Sequence, residues 1–166
     1  SGSSTNYIRA YSFDFADTIP TTATSIDGIE VDVVLLTVDG AASEWEFTNL
    51  HYAYGASAAT LSATNRAAST PCVSDSSHVF GGPTDLWGST PTVANIREND
   101  FGVVFNTTRL SGAGSNNMFV GTVRMKVTYT DTADGELRVT QNYVEVLSTE
   151  AIAVASQTFN RAIVVT

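Results

Sequence analysis

Phe119-Val120-Gly121-Thr122-Val123-Arg124-Met125-Lys126-Val127-Thr128-Tyr129-Thr130 decides the fold class. Phe119, Val123, Met125, Val127 and Tyr129 occupy alternate positions, set against Thr122, Arg124, Lys126, Thr128 and Thr130. A period of two places successive side chains on opposite faces of a strand, so the segment reads as a strand with one buried and one wet face. The same period recurs upstream. Ile29, Val31, Val33 and Leu35 alternate with Glu30 and Asp32, after which Val34 and Leu36 make the run apolar on both faces. The stretch from Trp45 to Tyr54 alternates too, and Phe101, Val103 and Phe105 form a short run closed by Asn106-Thr107-Thr108. Residues 7–15 read as a further strand, with Tyr11, Phe13 and Phe15 opposite Ser12 and Asp14.

Turn chemistry separates these runs. Asp27-Gly28, Asp39-Gly40, Gly81-Gly82-Pro83, Gly112-Ala113-Gly114 and Asp134-Gly135 all favour a positive φ or a tight reversal. Asp134-Gly135, lying between two alternating runs, is a two-residue hairpin signal. Helical signals are few. The Ala-rich stretch 56–68 lacks a 3.6-residue spacing. Thr90-Pro91 reads as an N-cap followed by a first-turn proline, and Val93 and Ile96 stand three apart, which predicts one or two helical turns before Phe101. The pattern therefore predicts an all-β chain built as an antiparallel β-sandwich. Residues 1–131 form the sandwich in this reading, and residues 132–166 contribute an additional strand pair.

That pair carries an internal echo. Thr140-Gln141-Asn142-Tyr143-Val144-Glu145-Val146-Leu147 recurs sixteen residues later as Ser156-Gln157-Thr158-Phe159-Asn160-Arg161-Ala162-Ile163. Two copies fall short of a solenoid. The echo leaves two readings open: the extra strands complete their own sandwich, or they reach the sheet of a neighbouring subunit through Val139, Gln141, Tyr143, Phe159 and Ile163.

Composition excludes several classes of function. The 166 residues carry a net charge of −9, with one lysine and seven arginines. Such a chain repels phosphate backbones and anionic lipid surfaces, so neither nucleic acid nor membrane is an expected partner. Charged residues make up 15%, and 17 serines with 23 threonines supply much of the polar surface instead. No apolar run approaches the length of a membrane-spanning helix, and there is no signal-peptide pattern. The chain starts at Ser1, which suggests either a removed leader or a fragment. Cys72 is the single cysteine, so an internal disulfide is impossible.

Catalytic and metal-binding patterns are weak. Cys72 precedes His78 by six residues, but a cysteine and a histidine without an orienting third group make a poor nucleophile signature. Two histidines and one cysteine cannot close a zinc site without carboxylates. The acidic groups Asp14/Asp17, Asp27/Glu30/Asp32 and Asp131/Asp134/Glu136 are conceivable calcium ligands, yet none follows the twelve-residue calcium loop. No carboxylate pair stands out for glycoside hydrolysis. Gly112-Ala113-Gly114 lacks the rest of a dinucleotide fingerprint, and Asn106-Thr107-Thr108 is a formal glycosylation sequon. No catalytic residue, metal or cofactor is expected. Aromatic residues leave an alternative. Trp45, Tyr52 and Tyr54, if exposed, would stack on sugar rings; if buried, they are core, and the same holds for Trp87.

One further stretch carries a resemblance. Gly81-Gly82-Pro83-Thr84-Asp85-Leu86-Trp87-Gly88 is followed by Thr90-Pro91, Asn95-Ile96, Asp100-Phe101-Gly102-Val103 and the strand Val123-Arg124-Met125-Lys126-Val127-Thr128-Tyr129. This order resembles a recurrent β-domain of structural proteins from tailed bacteriophages and environmental viruses, with its Gly-Gly-x-x-Asp-Leu-Trp-Gly and Phe-Gly-Val motifs. The lead-in from Thr22 to Val31 and the tail from Leu137 to Leu147 are similar as well, so the likeness extends over about residues 20 to 147. A Ser/Ala-rich insert over 56–79 and the four residues between Pro91 and Ile96 depart from it. The resemblance implies a jelly-roll-like sandwich in a virion, without an enzymatic site. It points to a capsid decoration or head or tail appendage subunit that contacts capsid or appendage proteins and forms a homo-oligomer. A glycan-binding module of a host-recognition fibre or a bacterial surface adhesin is the alternative, working through Trp45, Tyr52 and Tyr54. Physically, Asp85, Leu86, Trp87 and Gly88 read as a plug. Leu86 and Trp87 would close one end of the core, Asp85 would cap backbone donors, and Gly88 would permit the tight exit.

Overall fold

The alternating runs become strands that collect into two antiparallel sheets. The computed structural model describes residues 3–4, 7–38, 45–55, 59–110, 118–131 and 137–145. The first sheet contains β1 (Ser3–Ser4), β2 (Ile8–Tyr11), β4 (Trp45–Tyr54), β5 (Thr60–Leu61), β6 (Thr70–Pro71) and β8 (Gly102–Arg109). β4 and β8 lie at its centre, with β1 and β2 pairing along β8 and the short β5 and β6 along β4. The second sheet has the order β10-β9-β3-β7, from β3 (Ala23–Val38), β7 (Ser76–Gly82), β9 (Met118–Asp131) and β10 (Leu137–Glu145). Two single-turn helices, α1 (Phe15–Thr18) and α2 (Val93–Ile96), complete the described elements.

Register turns the sequence pattern into a core. β3 and β9 pair Ile29 with Val127, Val31 with Met125, and Val33 with Val123. All six side chains are fully buried. In the first sheet, β4 and β8 pair Phe47 with Thr107, Leu50 with Phe105, and Tyr52 with Val103, again with every member buried. The two buried faces form a single cluster. Phe47 of the first sheet shows this directly: its ring lies 5.3 Å from Phe80 of the second sheet and 6.0 Å from Phe105 of its own. Ring pairs at such separations add to the free energy of area burial by about 0.5–1.5 kcal/mol each.

Three local readings are corrected. Residues 7–15 do not form one strand: β2 ends at Tyr11, and both Ser12 (φ 64°) and Asp14 (φ 55°) adopt left-handed backbone conformations. Phe13 and Phe15 still reach the core, stacked at 6.0 Å, because the chain turns into α1 instead of running straight on. Arg97 donates to the Ala16 carbonyl at 2.8 Å and to the Ile19 carbonyl, fastening that turn. Asp27-Gly28 is not a reversal but an irregularity within β3, where the register against β9 shifts between Ile26 and Gly28. A bulge of this kind adds a residue and a kink without ending the strand. The helix cap also lies two residues further on than Thr90. Thr92 Oγ1 accepts from Asn95 N at 3.2 Å, and Asn95 Oδ1 accepts from Thr92 N at 3.0 Å, closing a reciprocal capping box, while Pro91 is buried.

Replacement of the cap separates the two threonines. Thr92→Ala is expected to lower unfolding free energy by about 0.5–2 kcal/mol. Thr90→Ala, at an exposed position, should stay within about 0.5 kcal/mol of the parent. Chemical denaturation of both variants checks this, and equal losses would place the cap elsewhere.

Candidate functional site

The segment from Asp85 to Gly88 joins the two sheets. Asp85 Oδ1 accepts from the backbone N–H of Trp87 at 2.8 Å and from the Arg66 guanidinium. Its own backbone N–H donates to the Gly82 carbonyl at 3.1 Å, and its carbonyl accepts from Ile29 N at 2.9 Å. These contacts hold Trp87 at a φ of 54°, a conformation that costs a bulky residue on the order of 1 kcal/mol or more. Gly88 continues the turn at a φ of 69°. Glycine meets no steric penalty there.

The strained turn drives the indole into the core. Trp87 is fully buried, its Nε1–H donates to the Ile29 carbonyl at 2.9 Å, and its ring lies 5.9 Å from Tyr52 on β4. One side chain thus bonds to β3 of the second sheet and packs on β4 of the first. Gly81 makes room for it: a Cβ there would stand 2.5 Å from the Trp87 Nε1. Leu86 is half-buried against the same core, and Trp87 O accepts from Thr64 N at 2.9 Å. Of the four residues, Trp87 is fully buried, Leu86 packs against the core and Asp85 is the acceptor in the turn, while Gly88 is exposed.

The aromatic platform for sugars does not form. Trp45 and Tyr52 are both 0% exposed, so neither ring offers a face to a ligand. The reason is register: both occupy the inward row of β4, with Phe47 and Leu50, against the second sheet. Burial raises the pKa of the Tyr52 phenol, partly offset by a hydrogen bond with Ser89. Tyr54 is half-buried and packs against the core, which leaves it alone as a stacking surface among the three.

The remaining candidates are engaged locally. Burial, with a smaller contribution from Glu46, pushes the Cys72 thiol up to about 12, far from a nucleophilic thiolate. His78 Nε2 lies 3.1 Å from Ser76 Oγ and 3.3 Å from Val73 N, and its ring packs against Phe47. Asn106 is buried in β8, its Oδ1 accepting from Asn49 Nδ2 at 2.9 Å, so the sequon asparagine does not face solvent. Asp27 accepts from Thr130 Oγ1 at 2.8 Å and from Ser25 Oγ at 2.9 Å. Glu30 pairs with Lys126 at 2.7 Å and Asp32 with Arg124 at 3.2 Å across β3 and β9. Among the described residues, no three His, Cys, Asp or Glu side chains are grouped to hold a metal. Asp134 and Glu136 lie outside the described residues.

Two surface depressions accompany this arrangement. One, about 170 Å³, lies over the Glu30–Lys126 and Asp32–Arg124 pairs beside Val79. The other is an open groove of about 460 Å³ lined by hydroxyl and apolar groups, including Thr24, Ser25, Leu86, Pro91 and Val93, with no ionisable side chain. No helix among the described residues is long and apolar enough to cross a membrane.

At the other edge of the second sheet, β10 pairs with β9 over nine residues. Val139 stands opposite Thr128, Gln141 opposite Lys126 and Tyr143 opposite Arg124. The first strand of the 132–166 segment therefore belongs to the chain's own sheet. Phe159 and Ile163 lie outside the described residues.

Two outcomes follow from the buried groups. Trp87→Ala is expected to cost about 3–5 kcal/mol and to lower Tm clearly in a thermal melt; an unchanged Tm would refute its role as the tie between sheets. The Cys72 thiol is held above its ordinary value of 9.0, so the fold favours its protonated form. Stability from this source is complete below pH 9 and is lost as pH rises towards 12. Denaturation midpoints of the parent should fall over that range more steeply than those of Cys72→Ala; parallel curves would contradict it.

No protein-family model matches the chain, and neither does any curated protein or solved structure.

Proposed function

We propose that this protein is a non-enzymatic structural component of a tailed-phage virion, a capsid decoration or head or tail appendage subunit that acts through protein–protein contacts. The observation that carries the reading is the use made of the Asp85-Leu86-Trp87-Gly88 motif, on which the resemblance to viral β-domains rests. Its aspartate shapes a turn, its tryptophan ties two sheets together, and its glycine permits the exit. All three roles are architectural. In keeping with this, the described carboxylates Glu30, Asp32 and Asp85 are matched with Lys126, Arg124 and Arg66 in ion pairs. Catalysis instead needs ionisable groups converging on a reacting volume.

The finer architecture in this proposal is a jelly-roll-like sandwich. It is supported by two antiparallel sheets sharing one core, and by a chain that passes between them from β3 to β4, from β7 to β8 and from β8 to β9. The virion is the corresponding location, with capsid or appendage subunits and further copies of the chain as partners. Burial of Trp45 and Tyr52 weighs against the glycan-binding alternative.

Quantitative mass spectrometry of purified particles tests the reading. The protein should be present in a fixed copy number that survives extensive washing. Recovery only from the free lysate fraction, or turnover of polysaccharides by the purified protein, would overturn it.

A further inference from the structure

We propose that the outer face of the β3–β9 ladder packs on the same face of a second copy, about a two-fold axis running along the strands. The inference rests on the reading of the protein as a subunit that contacts its own kind, and it names the surface. Glu30 and Asp32 on β3, and Arg124 and Lys126 on β9, alternate with fully buried neighbours, so all four point away from the core. The Arg124 and Lys126 side chains are 44% and 38% exposed.

The charges are sorted by strand. Both acids stand on β3 and both bases on β9, Glu30 opposite Lys126 and Asp32 opposite Arg124. Within each strand the like charges are two residues apart, about 7 Å, inside the Debye length of about 10 Å at 0.1 M salt. One acid and one base on each strand would keep both cross-strand pairs and remove that repulsion. The sorted layout gains where a second copy covers it. Rotation about an axis midway between β3 and β9, parallel to both, sets β3 of one copy over β9 of the other. Glu30 then faces Lys126 of the second copy, Asp32 faces its Arg124, and both contacts occur twice. An axis across the strands would instead stack acid on acid and base on base. Complementary charge fixes the first arrangement and suppresses the second.

Leu36 marks the same axis. It is 48% exposed and lies over Gly121 of β9, where a Cβ would stand 2.7 Å from the leucine Cγ. A leucine that leans from β3 across β9 sits near the midline, so the rotation sets it against Leu36 of the second copy. The area suffices for a specific contact. Four strands about 4.8 Å apart, each with about nine residues at about 3.4 Å, make a face of about 600 Å². Two such faces bury about 1,200 Å², the lower end of the range for specific interfaces. The contact uses the same patch on both chains, so it closes as a dimer.

Sedimentation equilibrium of the full-length chain and its charge variants tests the proposal. The parent should dimerise, and its dissociation constant should rise about tenfold or more at about 1 M salt, where the Debye length falls to about 3 Å. Glu30→Lys with Asp32→Lys makes the face wholly basic, and Arg124→Glu with Lys126→Glu makes it wholly acidic. Each of these two variants should be monomeric alone, and a mixture of them should form a one-to-one heterodimer. Leu36→Lys, at an exposed position, should loosen the dimer while far-UV circular dichroism stays that of the parent. A chain with all four charges exchanged keeps its cross-strand pairs and should dimerise as the parent does; with Leu36→Lys it decides the matter if a single-sign variant fails to fold. A monomeric parent, a dimer indifferent to these substitutions, or a mixture of folded variants that stays monomeric would overturn the proposal. A chain that is monomeric yet bound to particles would sink the face pairing and leave the virion reading standing. A chain that dimerises through this face yet is absent from particles would do the reverse.

Discussion

The pairing of β3 with β9 is the constraint on which the rest of the structure depends. Among the described residues it is the longest ladder, running from Ala23 opposite Asp131 to Val38 opposite Met118. Its inward rows supply the floor of the core, and its outer edges are where β7 and β10 attach. A strand with one buried face cannot slip by one residue without turning its apolar row to water. Ile29, Val31 and Val33 therefore fix the register of Val127, Met125 and Val123, and the bulges near Gly28 and Leu35 are absorbed without loss of that alignment. On the outer face, Glu30–Lys126 and Asp32–Arg124 repeat the same register as ion pairs. Exposed pairs of this kind add little stability, about 0–1 kcal/mol each, so the alignment comes mainly from the apolar rows.

The first sheet is held on that floor by aromatic side chains. Phe47 reaches Phe80 across the interface, and Trp87 reaches the other way, from its turn beside β7 to Tyr52 on β4. The backbone strain at Trp87 is tolerated because Asp85, Ile29 and Thr64 all bond to the same few residues. Near this core His78 is held by Ser76, Val73 and Phe47, and Glu30, Asp32 and Asp85 are ion-paired with Lys126, Arg124 and Arg66.

Much of this was legible in the amino-acid order. The alternation from Trp45 to Tyr54 coincides with β4, and the run ending at Thr130 lies within β9, because half-buried antiparallel strands write their pattern directly into sequence. Local turn signals were less faithful. Asp27-Gly28 has reversal chemistry, but β9 pairs with Ile26 before it and with Gly28 itself, β7 joins from Ile29 onward, and this tertiary pairing holds it within the strand. Residues 7–15 alternate as a strand does, although the left-handed conformations at Ser12 and Asp14 have no apolar signature to announce them. Thr90 and Thr92 are both chemically able to cap, and Asn95 selects the second by completing the reciprocal bond. For the candidate sugar-binding aromatics, composition could not separate exposed from buried. The inward row of β4 does so, placing Trp45 and Tyr52 beside Phe47.

Native-state hydrogen exchange tests the central role of the β3–β9 ladder most directly. Amides between Ile29 and Val33, and between Val123 and Val127, should be the slowest in the molecule and exchange only through global unfolding, while those of β2 and β10 open earlier. Faster exchange in the ladder than in the flanking strands would contradict the account.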